Sequence, residues 1–233
     1  TETVKNSVRK TKKVLVIAPH PDDETLGCGG TLLKHRDNGD KLYWLIITTA
    51  KDVEKWGYEW IKKREKEIAK VSECYNFDEI FNLEFETTKL QEYSFSLIVE
   101  KVNQVLKSVK PSILYVNNRS DIHSDHRIVF DAIMSVSKSF KSPFIDYLFM
   151  YETLSETNFT PALLYNAFLP NFYVDITNYI EEKIKIMKIY ESEFGIHPFP
   201  RSEDSIKSLA ILRGVEANFK YAEGFMLLQG LWR

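Results

Sequence analysis

The chain has 233 residues, 44% hydrophobic and 27% charged, which suits one α/β domain with a core large enough to need no covalent staples. Its 31 Lys and Arg against 33 Asp and Glu leave a net charge of -2, so no nucleic-acid partner is implied; such binding rests on a basic excess or a basic face. Two cysteines without paired spacing, Cys28 and Cys74, exclude a disulfide framework and a sulfur-rich zinc knuckle and point to a reducing cytoplasm, and no apolar stretch approaches the ~20 residues that span a bilayer.

Residues 1–13 read as a polar, basic extension without the apolar segment of a signal peptide, and residues 14–233 as one domain. Residues 14–18 are rich in β-branched side chains and do not alternate, as in a central parallel strand covered on both faces. The run stops at Pro19-His20-Pro21-Asp22-Asp23-Glu24, where an imidazole and three carboxylates arrive together. Open α/β sheets build their sites at such strand ends. A helix over 24–36 follows, and Gly27, Gly29 and Gly30 within it point to close packing of another element, because neither dinucleotide nor P-loop spacing is present.

Residues 42–48 read as a second strand and 56–75 as a helix whose stretch 62–67 (KKREKE) makes a solvated, ion-paired face. Trp56, Tyr58 and Trp60 read as packing residues, with stacking on a sugar as the alternative. A short strand over 79–83 is followed by an amphipathic helix over 94–109, which Pro111 stops, and by a strand over 113–116. Residues 117–126 (NNRSDIHSDH) then repeat the pattern of a polar loop after an apolar run, and a helical pattern follows from Ile128. Later elements are strands over 147–150 and 172–174 around a loop over 151–170, a helix over 177–190 capped by Thr177, a loop over 195–201 and a helix over 206–219. The order predicts an α/β fold, three layers deep, with a mostly parallel sheet.

In such a sheet the two polar loops lie at carboxyl ends of strands and converge. His20 and a carboxylate from one loop, with a histidine from the other, make three N/O ligands, the set of an open catalytic zinc site; Fe2+, Co2+ and Ni2+ are alternatives. One of Asp22 and Asp23 is then free to take a proton from water, and the residues alone do not say which. His123 lies close enough to stabilise charge on a carbonyl oxygen, with Asp125 placed to orient its ring.

The segment 19–30 (PHPDDETLGCGG) followed by His123-Ser124-Asp125-His126 resembles the LmbE-like or PIG-L family of metal-dependent N-deacetylases. Arg64 with Glu67, the segment 174–177 (VDIT), Arg213-Gly214 and the segment 221–225 (YAEGF) extend the resemblance over nearly the whole chain. Ser124 stands where many members have proline. The resemblance implies a Rossmann-like fold and zinc-dependent removal of acetyl groups from N-acetylglucosamine-type substrates. It matches His20, Asp23 and His126 to the metal ligands, Asp22 to the general base, His123 to the oxyanion-stabilising residue, Asp125 to its partner and Arg64 to a substrate contact. Other readings are an amidase acting on another amide of a sugar conjugate and a catalytically weak sugar-binding domain. The partner expected is thus a small amino sugar, and a homo-oligomer is compatible with the sequence. Specificity for that sugar is expected to reside in the loops over 51–58 and 151–170 and in the loop around His197.

Overall fold

A computed structural model describes residues 11–232, so most of the expected N-terminal extension lies outside the described residues. Seven strands, β1 (Lys13–Ala18), β2 (Lys41–Thr49), β3 (Glu79–Glu86), β4 (Ile113–Asn117), β5 (Tyr147–Tyr151), β6 (Phe172–Asp175) and β7 (Ala222–Gly230), form one sheet in the order β3-β2-β1-β4-β5-β7-β6. The first five are parallel, and β7 runs antiparallel between β5 and β6. The connections reverse direction between β1 and β4, which opens a crevice beyond the carboxyl ends of these two strands.

Helices α1 (Asp23–Asp37), α3 (Tyr58–Tyr75), α6 (Ile180–Met187) and α7 (Glu203–Ala217) cover one face of the sheet, while α4 (Phe95–Val109) and α5 (Ser124–Val136) cover the other; α2 (Val53–Trp56) is a single turn. Val14, Val16 and Ala18 meet the first layer, Leu15 and Ile17 the second, and all five are fully buried. This explains the absence of alternation in that segment. Each of the larger side chains among them contributes about 1.5–3 kcal/mol through burial.

Two expected helix starts shift, and one strand is unanticipated. The helix expected over 56–75 is α3, which starts two residues later because Gly57, at φ 82°, separates it from α2. Thr177 does not cap α6; its hydroxyl accepts the Tyr221 N–H at 3.3 Å, and the helix begins later, at Ile180. Strand β7 carries a glutamate and a glycine in its first three residues, which interrupt the apolar signal that would have revealed it.

The glycines of α1 do accommodate close neighbours. A Cβ on Gly27 would stand 2.1 Å from the Tyr151 ring, and one on Gly30 2.6 Å from Ile176. Tyr151 cannot retreat freely, because it is fully buried and its hydroxyl donates to the Ile17 carbonyl at 2.7 Å. Gly27→Ala should therefore destabilise by about 1–3 kcal/mol through overpacking, seen as a lower urea midpoint with an unchanged m-value.

Candidate metal centre

The crevice between β1 and β4 receives both polar loops. His20 comes from the turn after β1, Asp23 from the first residue of α1, His123 from the cap of α5, and Asp125 and His126 from its first turn. His126 Nε2 lies 3.2 Å from Asp23 Oδ2 and 3.2 Å from His20 Nδ1, and the last two atoms are 3.6 Å apart. Ligands at the ~2.0–2.1 Å bond lengths of a tetrahedral zinc site stand about 3.3 Å from one another, so this triangle has the right size.

The chemistry of the donors agrees. His20 Nε2 meets Asp125 Oδ2 at 3.1 Å and His126 Nδ1 meets Asp121 Oδ2 at 2.8 Å. A carboxylate only accepts, so these ring nitrogens donate, and the lone pairs of His20 Nδ1 and His126 Nε2 turn toward Asp23. Three acceptors then face one point, an arrangement that could hold a metal ion and that in its absence draws protons onto the rings. Burial opposes the imidazolium at His20, but hydrogen bonds to Asp125 and Asp23 outweigh it and carry the group up to about 9. Burial likewise opposes the Asp23 carboxylate, and the charge and hydrogen bond of His126 hold it below the usual carboxylate range.

Asp22 does not join the triangle. It holds an unusual backbone conformation, φ 131° and ψ -28°, with its N–H donating to the buried Glu24 carboxylate at 3.0 Å. Strain of this kind costs about 1–3 kcal/mol and collects at functional sites. Burial and the neighbouring Asp23 charge push the Asp22 carboxyl well above its ordinary range, against the pull of Arg201, whose guanidinium lies 3.5 Å away.

The expected pairing of Asp125 with His123 takes a different form. The Asp125 carboxylate accepts from His20 and from the N–H groups of Thr88 at 2.8 Å and Leu90 at 3.2 Å, and its Oδ2 is 4.0 Å from His123 Nδ1. Instead the backbone N–H of Asp125 donates to that nitrogen at 3.1 Å, which places the proton of a neutral His123 ring on Nε2. Burial and the nearby His20 lower the His123 imidazole to about 4.

His20, Asp22, Asp23 and His123 border a cavity of about 190 Å3, whose walls include Trp56, Trp60, Arg64, Glu156, Glu193 and Arg201, while His126 and Asp125 lie fully buried behind them. Trp56 and Trp60 stack on each other, centroids 4.9 Å apart, and also line the cavity. Arg64 and Glu67 are buried, unlike the rest of the stretch 62–67 expected to be solvated. Arg64 donates to the Pro21 carbonyl, Ser192 and Glu193, and Glu193 also binds Arg201 at 2.9 Å. Sequence reading missed Asp121, Glu156, Glu193 and Arg201. Asp121 had a signal, two residues before His123; the other three lie in loops whose path no local pattern encodes. His197 is exposed and absent from the cavity wall, and His35 instead binds Asp40 at 2.7 Å and Tyr115 at 3.0 Å.

Glu24 yields a pH prediction. Its carboxylate accepts from Thr25, Tyr190 and the Asp22 N–H, yet burial outweighs these bonds and raises it to about 7 from an ordinary 4.5. The folded state thus keeps a proton that the unfolded chain releases, so stability falls as pH rises from 4.5 toward 7 and levels off above that. The loss is about 3 kcal/mol at ~1.4 kcal/mol per pH unit. Urea titrations at pH 5 and 7.5 should show this difference shrink in Glu24→Gln, whatever the variant's absolute stability.

An open, mostly parallel α/β/α sheet with a His-Asp-His cluster at its switch point defines a Rossmann-like protein whose cluster could hold a metal ion. The chain belongs to the PIG-L family, whose profile, described as GlcNAc-PI de-N-acetylase, matches residues 15–137. It is 29% identical over 229 residues to the diacetylchitobiose deacetylase of Thermococcus kodakarensis, covering 95% of this chain and 85% of that one. The fold superposes with a TM-score of 0.75 on the conserved protein TT1542 of Thermus thermophilus, at 26% identity, covering 96% and 97% of the two chains. An inhibitor complex of the N,N'-diacetylchitobiose deacetylase of Pyrococcus horikoshii has a TM-score of 0.73 at 24% identity, over 98% of this chain and 88% of that one. Among the described residues no helix is long and apolar enough to cross a membrane.

Proposed function

We propose that this protein hydrolyses the N-acetyl group of an N-acetylglucosamine-type amino sugar or its conjugate, releasing acetate and a free amine. The observation that carries this reading is the cluster of His20, Asp23 and buried His126, whose first two members open with Asp22 and His123 onto one cavity, in a chain of a family described by de-N-acetylation. His20, Asp23 and His126 would hold Zn2+. Bound there, the ion supplies Lewis acidity toward the acetamide carbonyl and makes water more acidic.

Asp22 takes the proton of the attacking water as the new C–O bond forms, then returns it to nitrogen as the C–N bond breaks. The neutral His123 donates its Nε2–H to the oxygen on which negative charge develops. Asp125 keeps His123 in that tautomer through its backbone N–H and holds His20 through its carboxylate. Trp56 and Trp60 offer an aromatic wall to the sugar, and Arg64 borders the same cavity as a substrate contact.

Acetate release over free, nucleotide-linked and lipid-linked N-acetylamino sugars, with metal analysis of the purified protein, tests the reading. Removing metal with a chelator should abolish turnover, and Zn2+ should restore it. Release of an amine without acetate would favour the amidase reading, and sugar binding without turnover would favour a sugar-binding domain.

A further inference from the structure

We infer that Asp121 is a positioning residue for the metal site, the counterpart behind His126 of what Asp125 is behind His20; this rests on the metal-binding reading above. The two imidazoles are held from the rear by two different carboxylates, Asp121 at 2.8 Å from His126 Nδ1 and Asp125 at 3.1 Å from His20 Nε2. Each carboxylate engages the ring nitrogen that does not face Asp23. Each therefore fixes which nitrogen keeps its proton and which presents a lone pair, and holds the ring in plane. Without such a partner an imidazole samples both tautomers and rotates, and only part of its population presents the correct nitrogen.

Asp121 is built for this task. It is fully buried, and its other oxygen accepts from Asn118 Nδ2 at 2.9 Å and Thr157 Oγ1 at 2.6 Å. The carboxylate is thus immobilised on one oxygen while the other meets His126. Thr157 belongs to the segment after β5 that supplies Glu156, whose side chain accepts the His123 N–H at 3.2 Å and whose carbonyl accepts from Ile122. Through Asp121 the cavity wall after β5 is keyed to the orientation of His126.

The test is competition of the purified protein against a chromophoric chelator for Zn2+, together with the ring N–H signals of His126 with and without the metal. Asp121→Ala should weaken Zn2+ binding by about 10–100-fold, and Asp121→Asn, which keeps an acceptor oxygen but loses the charge, by less. Thr157→Val, which removes one of the two hydrogen bonds that immobilise Asp121 but leaves its bond to His126, should weaken Zn2+ binding by less than Asp121→Asn does. In the wild type the His126 Nδ1–H signal should lie downfield and exchange slowly with solvent, and in both Asp121 variants it should exchange faster. Wild-type affinity in a folded Asp121→Ala protein would overturn the inference, as would a loss in Thr157→Val equal to that in Asp121→Asn. If Asp121→Ala fails to fold, the affinity and N–H signal of Asp121→Asn decide. A wild type that binds no Zn2+ would sink the metal-binding reading alone, because the N–H signal still reports on the pairing of Asp121 with His126.

Discussion

Asp22→Asn is expected to lower acetate release by about 10^2–10^4-fold while metal content stays at the wild-type level. The amide has nearly the same shape and hydrogen-bonding reach, so the turn after β1 should survive, and the three candidate ligands do not include Asp22. What is lost is a group able to carry a proton between water and the leaving nitrogen. The position suits that role because Asp22 is 4% exposed, lies beside the metal triangle, and is held in a strained backbone conformation by the Glu24 carboxylate. Arg201 at 3.5 Å limits how far burial lifts its carboxyl. Single-turnover acetate assays on metal-verified protein measure the effect. Full activity in Asp22→Asn would remove it as the base and direct attention to Glu193, the carboxylate that binds Arg201 on the same cavity wall.

Glu223→Ala should destabilise the fold by about 3–5 kcal/mol, the cost of leaving a buried charge without its partner. Glu223 and Lys183 are each 5% exposed and form a 2.6 Å ion pair in the layer between β7, α6 and α1. Both also bind the backbone of α1: Glu223 accepts the N–H groups of Gly30 at 2.9 Å and Thr31 at 2.7 Å, and Lys183 donates to the Leu26 carbonyl at 2.8 Å. Gly29 leaves room for the Lys183 stem, since a Cβ there would stand 3.0 Å from it. Because α1 begins at Asp23, the pair anchors the helix that presents one candidate ligand. Urea unfolding should show the lower midpoint for Glu223→Ala, and Glu223→Gln, which can still accept from the helix, should lose less. Wild-type stability in Glu223→Ala would show that the pair stabilises nothing.

The same pair shows where sequence reading stopped. The segment 221–225 was recognisable as a pattern, but a glutamate followed by glycine gave no reason to expect the strand it begins, because its partner lies 40 residues away in α6. The glycines of α1 were legible as a demand for close approach, and the neighbours turned out to be Tyr151, Lys183 and Ile176. Arg64 and Glu67 read as solvated because they sit among Lys62, Lys63, Glu65 and Lys66; the loop carrying Ser192 and Glu193 buries them. Of the three loops expected to shape specificity, each contributes one wall of the cavity, through Trp56, Glu156 and Arg201.

Sequence alone determined the parallel α/β architecture and the two polar loops that carry the candidate ligands, because apolar runs and short motifs are local and each residue's chemistry travels with it. Only the tertiary structure decided which nitrogen of each imidazole faces Asp23, that Asp125 grips His20 while its backbone orients His123, and that Asp121 stands behind His126. Those choices depend on hydrogen-bond directions within and between two loops about 100 residues apart in the chain, and direction, unlike residue type, exists only once the chain has folded.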